Sequence, residues 1–123
     1  QDYGEATLKA GTDDVAFSEG IEPRSEDYEV TKQFENAFHG TRLETLLRTE
    51  GVDTVLVCGF TSNVCVSSTI RGAHERGFNV VLAEDATASY DKTMHEALCH
   101  NVEYIYGVTV TVEDSVRDSG TTN

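Results

Sequence analysis

Residues 53–76 limit what this chain can fold into more strongly than any other segment. An apolar run at residues 55–59 leads through the polar turn at residues 60–63 into a helical pattern that stops before Gly77. The run lacks two-residue alternation, which is typical of a parallel strand buried on both faces. We therefore expect an interior strand, with Cys58 as a structural residue inside it.

The rest of the chain alternates short apolar runs with helical patterns. Strands are predicted at residues 28–31, 54–59, 79–83 and 104–111, and helices at residues 42–50, 64–76 and 92–100. Strands that alternate with helices predict an α/β fold: a three-layer, doubly wound, Rossmann-like parallel sheet whose ligands lie beyond the carboxyl ends of the strands. A length of 123 residues fits one domain, residues 1–123. Residues 1–9 and 118–123 are polar enough to predict mobile ends.

Cys65 lies where the polar turn becomes a helix. Free N–H groups and the helix dipole stabilise a thiolate in the first turn of a helix, and the same groups can bind an oxyanion. Cys65 is therefore a candidate nucleophile. The alternative is that it only fills space, since free cysteine behaves as a small hydrophobe.

A family resemblance extends from about residue 11 to residue 116. The chain resembles the isochorismatase-like cysteine hydrolases in six segments: residues 11–12, 27–32, 36–43 and 51–59, the Cys65 turn, and residues 84–88 followed by His95. Together these segments are specific, although each alone is weak. The resemblance implies the doubly wound hydrolase fold.

The resemblance also implies a catalytic triad of aspartate, lysine and cysteine. Lys32 matches the lysine, whose ammonium would favour the thiolate, and Cys65 matches the nucleophile. The aspartate of the family ends the first strand of the domain, and no aspartate before Lys32 has that context. We therefore expect an N-terminally truncated domain that lacks the first βαβ unit, with an uncovered apolar sheet edge and self-association into a homo-oligomer.

The same resemblance implies a cis peptide between Phe60 and Thr61. In the family this turn aims the N–H groups that match Thr61 and Cys65 at the substrate carbonyl oxygen, so these two residues are the oxyanion-hole candidates. Ordinary capping and turn chemistry is the alternative for the polar residues here.

Aromatic residues near these positions are weaker candidates. Phe34, Phe38 and Phe60 are predicted to line the substrate pocket, although aromatic residues at this spacing more often belong to the core. Lys32 also has an alternative, since a lysine at a strand end is more often a solvated surface residue.

Spacing gives no sign of a metal or a nucleotide cofactor. The four histidines form no ligand pattern, and residues 1–31 contain none, which disfavours the metal-dependent nicotinamidases of the family. Gly-x-Gly-x-x-Gly and Gly-x-x-x-x-Gly-Lys are both absent from the sequence, and no Gly-x-Ser-x-Gly surrounds Ser67 or Ser68. We expect no cofactor.

Charge and hydropathy limit the classes of molecule that this chain is expected to bind. With 22 acidic and 9 basic residues the formal net charge is -13, which disfavours binding to nucleic acid. No apolar run in the sequence is long enough to cross a bilayer, so no membrane partner is expected. The spacing of the three cysteines suggests no paired framework, which favours a reducing compartment, the cytoplasm.

The leading hypothesis is a hydrolase that cleaves a C–N bond of a small amide or ureido compound, with Cys65 as nucleophile. The alternative is a catalytically incomplete member that acts as a binding or assembly scaffold. A generic doubly wound ligand-binding domain is the third and weakest reading.

Overall fold

The computed structural model describes residues 19–20 and 22–121, in which helices and strands alternate. After a loop through residue 42, the order of elements is α1 (Leu43–Thr49), β1 (Thr54–Phe60), a π-helical turn (Ser62–Val66), α2 (Ser67–Glu75), β2 (Asn79–Ala88), α3 (Lys92–Asn101), a second π-helical turn (Val102–Tyr106), β3 (Gly107–Val110) and α4 (Val112–Thr121). The predicted α/β fold, a parallel sheet flanked by helices, is confirmed.

The three strands form one parallel sheet in the order β1-β2-β3. β1 and β2 pair regularly from Thr54 opposite Asn79 to Val57 opposite Leu82. The register then jumps, so that Gly59 lies opposite Thr87. The hydroxyl of Thr87 donates to the carbonyl of Ala83 at 2.8 Å and closes this bulge.

The hydrophobic core lies between β2 and the helices. It consists of nine buried residues: Phe38, Val66, Ile70, Ala73, Phe78, Val80, Leu82, Leu98 and Val102. Phe38 and Phe78 stack with ring centroids 6.0 Å apart. The guanidinium groups of Arg76 and Arg48 lie 4.8 Å and 4.2 Å from the centroids of these two rings and cover them.

The helices begin and end where local signals indicate. The predicted helices at residues 42–50, 64–76 and 92–100 are confirmed to within a few residues. Gly51 and Gly77 follow α1 and α2 with φ of 70° and 85°, a backbone conformation that glycine adopts at no steric cost. Asp91 caps α3 by accepting a 2.7 Å hydrogen bond from the Thr93 N–H. None of the helices in the described ranges combines the length and the apolar character that a membrane span requires.

β1 differs from its prediction. It starts at the predicted residue and ends one residue later, at Phe60. It lies at the edge of the described sheet, so the prediction of an interior strand buried on both faces is wrong for this part of the chain. Cys58 is exposed, and Leu56 and Phe60 are each 54% exposed. The apolar pattern of residues 55–59 indicates that β1 is buried, but it does not tell on which sides of β1 a neighbouring strand lies.

Three further segments also depart from expectation. Residues 28–31 form no strand in the described structure, because the segment is held by side chains instead: the Arg42 guanidinium donates to the Glu29 carbonyl, and the Tyr28 hydroxyl to the Glu50 carboxylate. Residues 102–106 prolong α3 as a π-helical turn, so the last strand starts at Gly107 and not at 104. Residues 112–121 form α4, where a mobile end was expected from residue 118; residues 1–9 and 122–123 lie outside the described residues.

Candidate active site at the Cys65 turn

Cys65 lies in the π-helical turn between β1 and α2, beyond the carboxyl end of β1. Its side chain is half-buried, so the thiol is neither sealed in the core nor freely solvated. The Thr61 carbonyl accepts hydrogen bonds from the N–H groups of Val64 and Val66, at 3.2 Å and 3.1 Å. These two bonds wind the chain around Cys65 and fix the start of the helix.

The peptide between Phe60 and Thr61 is cis, as the family resemblance implies. Thr61 itself is extended, with φ of -106° and ψ of 140°, and immediately precedes the turn. Thr61 precedes the turn and Cys65 lies within it, and their N–H groups remain the oxyanion-hole candidates.

Lys32 is an exposed residue in the loop before α1. Its Nζ donates to the carbonyl oxygens of Phe34 and Glu35, at 2.8 Å and 3.4 Å. Among the described contacts, none joins Lys32 to Cys65. The structure thus places the two predicted triad members in separate segments, and Lys32 does not follow a strand as expected.

The predicted pocket aromatics occupy different environments. Phe38 is in the core, the position that the alternative interpretation assigned to it. Phe34 is 54% exposed and packs edge-on against His39, with centroids 4.8 Å apart. Phe60 packs edge-on against Tyr90, also at 4.8 Å.

Tyr90 is a residue that the sequence analysis missed. It is 90% exposed and follows the end of β2 by two residues, next to Phe60 at the end of β1. The signal that could have identified it is its position just beyond the carboxyl end of a predicted strand, where parallel sheets bind ligands.

A hydrogen-bond chain connects the turn to α3. The Ser62 hydroxyl and Nδ1 of His95 are 2.7 Å apart, and Nε2 of His95 lies 3.7 Å from the sulfur of Cys99. Burial, followed by the nearby Glu84 carboxylate, raises the pKa of the Cys99 thiol. A raised pKa leaves less of the Cys99 thiol as thiolate at neutral pH, so Cys99 is a weaker nucleophile candidate than Cys65.

An acidic cavity of about 480 Å³ opens beside this chain. Its lining comprises Glu84, Asp85, His95, Glu96, Cys99, His100, Glu103 and Thr109. Despite this composition, the described residues contain no group of three such side chains arranged to hold a metal ion.

An apolar groove of about 290 Å³ runs along the outer side of β1. It is lined by Phe38, Leu43, Leu47, Val55, Leu56, Val57, Cys58, Thr69 and Ala73. The groove lies beside Leu56 and Cys58, two exposed residues of β1.

Comparison with known proteins agrees with the fold. The model of the isochorismatase domain matches residues 1–114. An uncharacterised isochorismatase family protein of Escherichia coli O157:H7, YecD, is 42% identical over 80 residues, covering 65% of this chain and 41% of its own length. The ureidoacrylate amidohydrolase RutB of Methylobacterium radiotolerans is 34% identical over 81% of this chain and 39% of its own length.

A solved structure gives the same result in three dimensions. The cysteine hydrolase of Pseudomonas syringae pv. phaseolicola superposes with a TM-score of 0.82 and 33% identity, over 85% of this chain and 54% of that one. The chain spans less than half the length of either curated relative. Since the family model covers nearly all of the sequence and the fold agrees, this chain belongs to the isochorismatase family.

Proposed function

We propose that this chain is part of a hydrolase that cleaves the C–N bond of a small amide or ureido compound, with Cys65 as the nucleophile. The observation that carries the proposal is the position of a half-buried thiol in the first turn after a parallel strand, beyond the carboxyl end of the sheet. The amidohydrolase and the cysteine hydrolase among the similar proteins support the same reaction class.

The reaction has two halves. In the first, the Cys65 sulfur attacks the carbonyl carbon and the C–N bond breaks. The amine leaves with the proton that the thiol gave up, and the acyl group remains on sulfur as a thioester. In the second, water attacks the thioester, releases the acid and restores the thiol. The N–H groups of Thr61 and Cys65 are assigned to the carbonyl oxygen, where negative charge develops in both halves.

Lys32 is assigned to the stabilisation of the thiolate. Its Nζ is held by the Phe34 and Glu35 carbonyls, so the side chain must exchange these bonds for the thiolate in the active enzyme. The Asp27 carboxylate accepts a 2.8 Å hydrogen bond from the N–H of Arg24 in a local turn, and none of the described contacts joins it to Cys65.

The first experiment measures ammonia release from a panel of primary amides and N-carbamoyl compounds. We expect Cys65→Ala to lower kcat/KM by at least about a thousandfold, because the covalent route is lost. The matched control is Cys58→Ser, which changes an exposed thiol on β1 and is expected to leave activity within about twofold, as for a surface site. Equal activity of Cys65→Ala and its parent would contradict the proposal.

Alkylation by iodoacetamide at neutral pH, resolved by peptide mass spectrometry, tests the nucleophile without a substrate. In a Cys58→Ser background, Cys65 is expected to react faster than Cys99, because burial and the Glu84 carboxylate raise the pKa of the Cys99 thiol. Cys58 itself is not an inert control, because its exposure alone allows reaction. A Cys65 as slow as Cys99 would argue against an activated thiol.

The second candidate function is a binding or assembly scaffold. It is favoured by the Lys32 contacts, which engage the ammonium within its own loop. Hydrolysis of any compound in the panel that depends on Cys65 would exclude it.

We also propose that copies of the chain self-associate through the apolar edge of β1. The compartment that we propose for the chain is the reducing cytoplasm. The support is the exposure of Leu56 and Phe60 beside the apolar groove. Leu56→Lys is expected to shift sedimentation toward the monomer. Val108→Lys, at a site 49% exposed on β3, is the matched control. Equal sedimentation of both variants and the parent would refute this interface.

A further inference from the structure

The turn that carries Cys65 is tied by two side-chain hydrogen bonds to residues 89–95, which span the loop before α3 and the first turn of that helix. Ser62 contacts Nδ1 of His95 at 2.7 Å, and the Ser89 hydroxyl donates to Oδ1 of Asn63 at 2.8 Å. The N–H of Asp91 in turn donates to the Ser89 hydroxyl at 3.4 Å. Two consecutive residues of the turn are thus held from the same neighbouring segment.

The Ser62 contact is the buried one of the two. Ser62 is 0% exposed, whereas the bond between Ser89 and Asn63 lies at the surface. A buried hydroxyl that loses its partner carries the full cost of desolvation. The position of the turn therefore depends more on His95 than on Ser89.

The protons available to the two groups indicate which of them donates this hydrogen bond. Ser62 has one hydroxyl proton, and in the described structure the oxygen makes one side-chain hydrogen bond, to Nδ1. If Nδ1 carried the proton and donated, the Ser62 proton would be buried without an acceptor. With Ser62 as donor, both groups are satisfied, and the ring proton resides on Nε2, which faces the Cys99 sulfur at 3.7 Å.

We propose that His95, as the neutral Nε2–H tautomer, is a positioning residue that holds the Cys65 turn through the Ser62 hydroxyl. The proposal rests on the proposed function, because it assigns His95 to the placement of the nucleophile; His95 does not act on the substrate. It predicts that any group at the Nδ1 position that accepts a hydrogen bond from the Ser62 hydroxyl is sufficient to hold the turn.

The variants separate the two ends of the imidazole. His95→Asn keeps an acceptor oxygen at the Nδ1 position and loses the contact with Cys99. His95→Ala loses both, and Ser62→Ala removes the donor. Cys99→Ala removes the sulfur end alone, and His100→Asn, at an exposed site of the same helix, is the matched control.

Amide hydrogen exchange reports the order of the turn independently of any activity. The reporters are the N–H groups of Val64 and Val66, which donate to the Thr61 carbonyl. In His95→Ala and Ser62→Ala they are expected to exchange about tenfold faster, the ratio that corresponds to one lost hydrogen bond. The N–H groups of Arg76 and Gly77, at the far end of α2, are expected not to change.

His95→Asn, Cys99→Ala and His100→Asn are expected to exchange like the parent. The double variant Ser62→Ala/His95→Ala is expected to be no worse than either single variant, since both remove the same bond. An effect of His95→Asn equal to that of His95→Ala, or an acceleration spread equally over both ends of α2, would overturn the proposal. So would a ring ¹⁵N spectrum of the parent that shows the proton on Nδ1.

Enzyme kinetics then connect the turn to the reaction. His95→Ala is expected to lower kcat about tenfold with KM within about twofold, as for one lost bond that positions the nucleophile, and His95→Asn to restore it. If Cys65 is not a nucleophile, the parent will show no activity that depends on Cys65, and the proposed function fails. The hydrogen-exchange and ¹⁵N results still test separately whether His95 holds the turn. An unchanged kcat in an active His95→Ala variant would overturn the positioning role of His95.

Discussion

At the scale of single residues, the chain contains three thiols that composition cannot tell apart. Cys58 is exposed on an edge strand, Cys65 is half-buried at the start of a helix, and Cys99 lies beside His95 and Glu84 with a raised pKa. The chemistry of each follows from these surroundings. Sequence position identified Cys65 correctly as the cysteine after a strand, but it assigned Cys58 to an interior that the described sheet does not provide.

Glu103 gives a prediction about pH. Its carboxylate accepts hydrogen bonds from the hydroxyl and the N–H of Thr109, and these lower its pKa below the ordinary value of 4.5. A carboxyl with a lowered pKa in the folded state stabilises the fold above its ordinary pKa, and that contribution is lost as pH falls through the lowered value. Removing the charge with Glu103→Gln should therefore lower stability more at neutral pH than in acid.

The measurement is urea unfolding at pH 7 and pH 3. The parent is expected to be more stable than Glu103→Gln at pH 7, and the difference is expected to shrink at pH 3. Glu113→Gln, an exposed carboxylate in the first turn of α4, is the control for a general effect of charge. A difference of the same size at both pH values would show that Glu103 does not titrate in this way.

At the scale of elements, α3 depends on its capping residue. Replacing Asp91 with alanine removes the acceptor for the Thr93 N–H and is expected to cost about 1 kcal/mol of unfolding free energy. Asp91→Asn keeps a side-chain oxygen acceptor and should lie close to the parent. Urea titration of the three proteins checks this, and equal losses in both variants would contradict a capping role.

The helices could be predicted from sequence because their signals are local. Gly51 and Gly77 mark the ends of α1 and α2, and the apolar positions of residues 92–100 repeat with helical spacing. The start of the last strand could not, since the segment 102–106, with Glu103 among apolar residues, suits a helix as well as a strand. It continues α3 because Val102 packs fully buried in the core.

Part of the site could also be predicted from the sequence, because the signals for that part are local. The Cys65 turn and the cis peptide before it are contiguous in sequence, so a resemblance in that segment carries its geometry. Lys32 belongs to a distant loop, and its position depends on contacts that a local pattern does not contain. The contact between Ser62 and His95 likewise joins residues 33 positions apart.

At the scale of the whole molecule, burial is uneven across the sheet. Leu82 on β2 is fully buried, whereas Leu56 on β1 is 54% exposed. Leu82→Ala is expected to cost about 2–5 kcal/mol of unfolding free energy, because it leaves a cavity in the core. The same substitution at Leu56 removes a side chain that is half in water, so its expected cost is under about 1 kcal/mol.

Urea unfolding at low protein concentration compares the two leucine variants. A loss at Leu56 as large as that at Leu82 would mean that β1 is covered in solution. Repeating the titration at higher concentration would then show whether a second copy provides the cover, since association makes stability depend on concentration.

The bulge in β2 has a consequence for changes in chain length. Up to Ala83, β2 pairs with β3, and from Thr87 onward it pairs with the end of β1, so residues 84–86 belong to neither ladder. One described bond leaves this stretch, from the N–H of Val112 to the Asp85 carboxylate. An insertion or deletion among residues 84–86 should therefore leave both halves of the sheet in register. Its effect should fall instead on the first turn of α4.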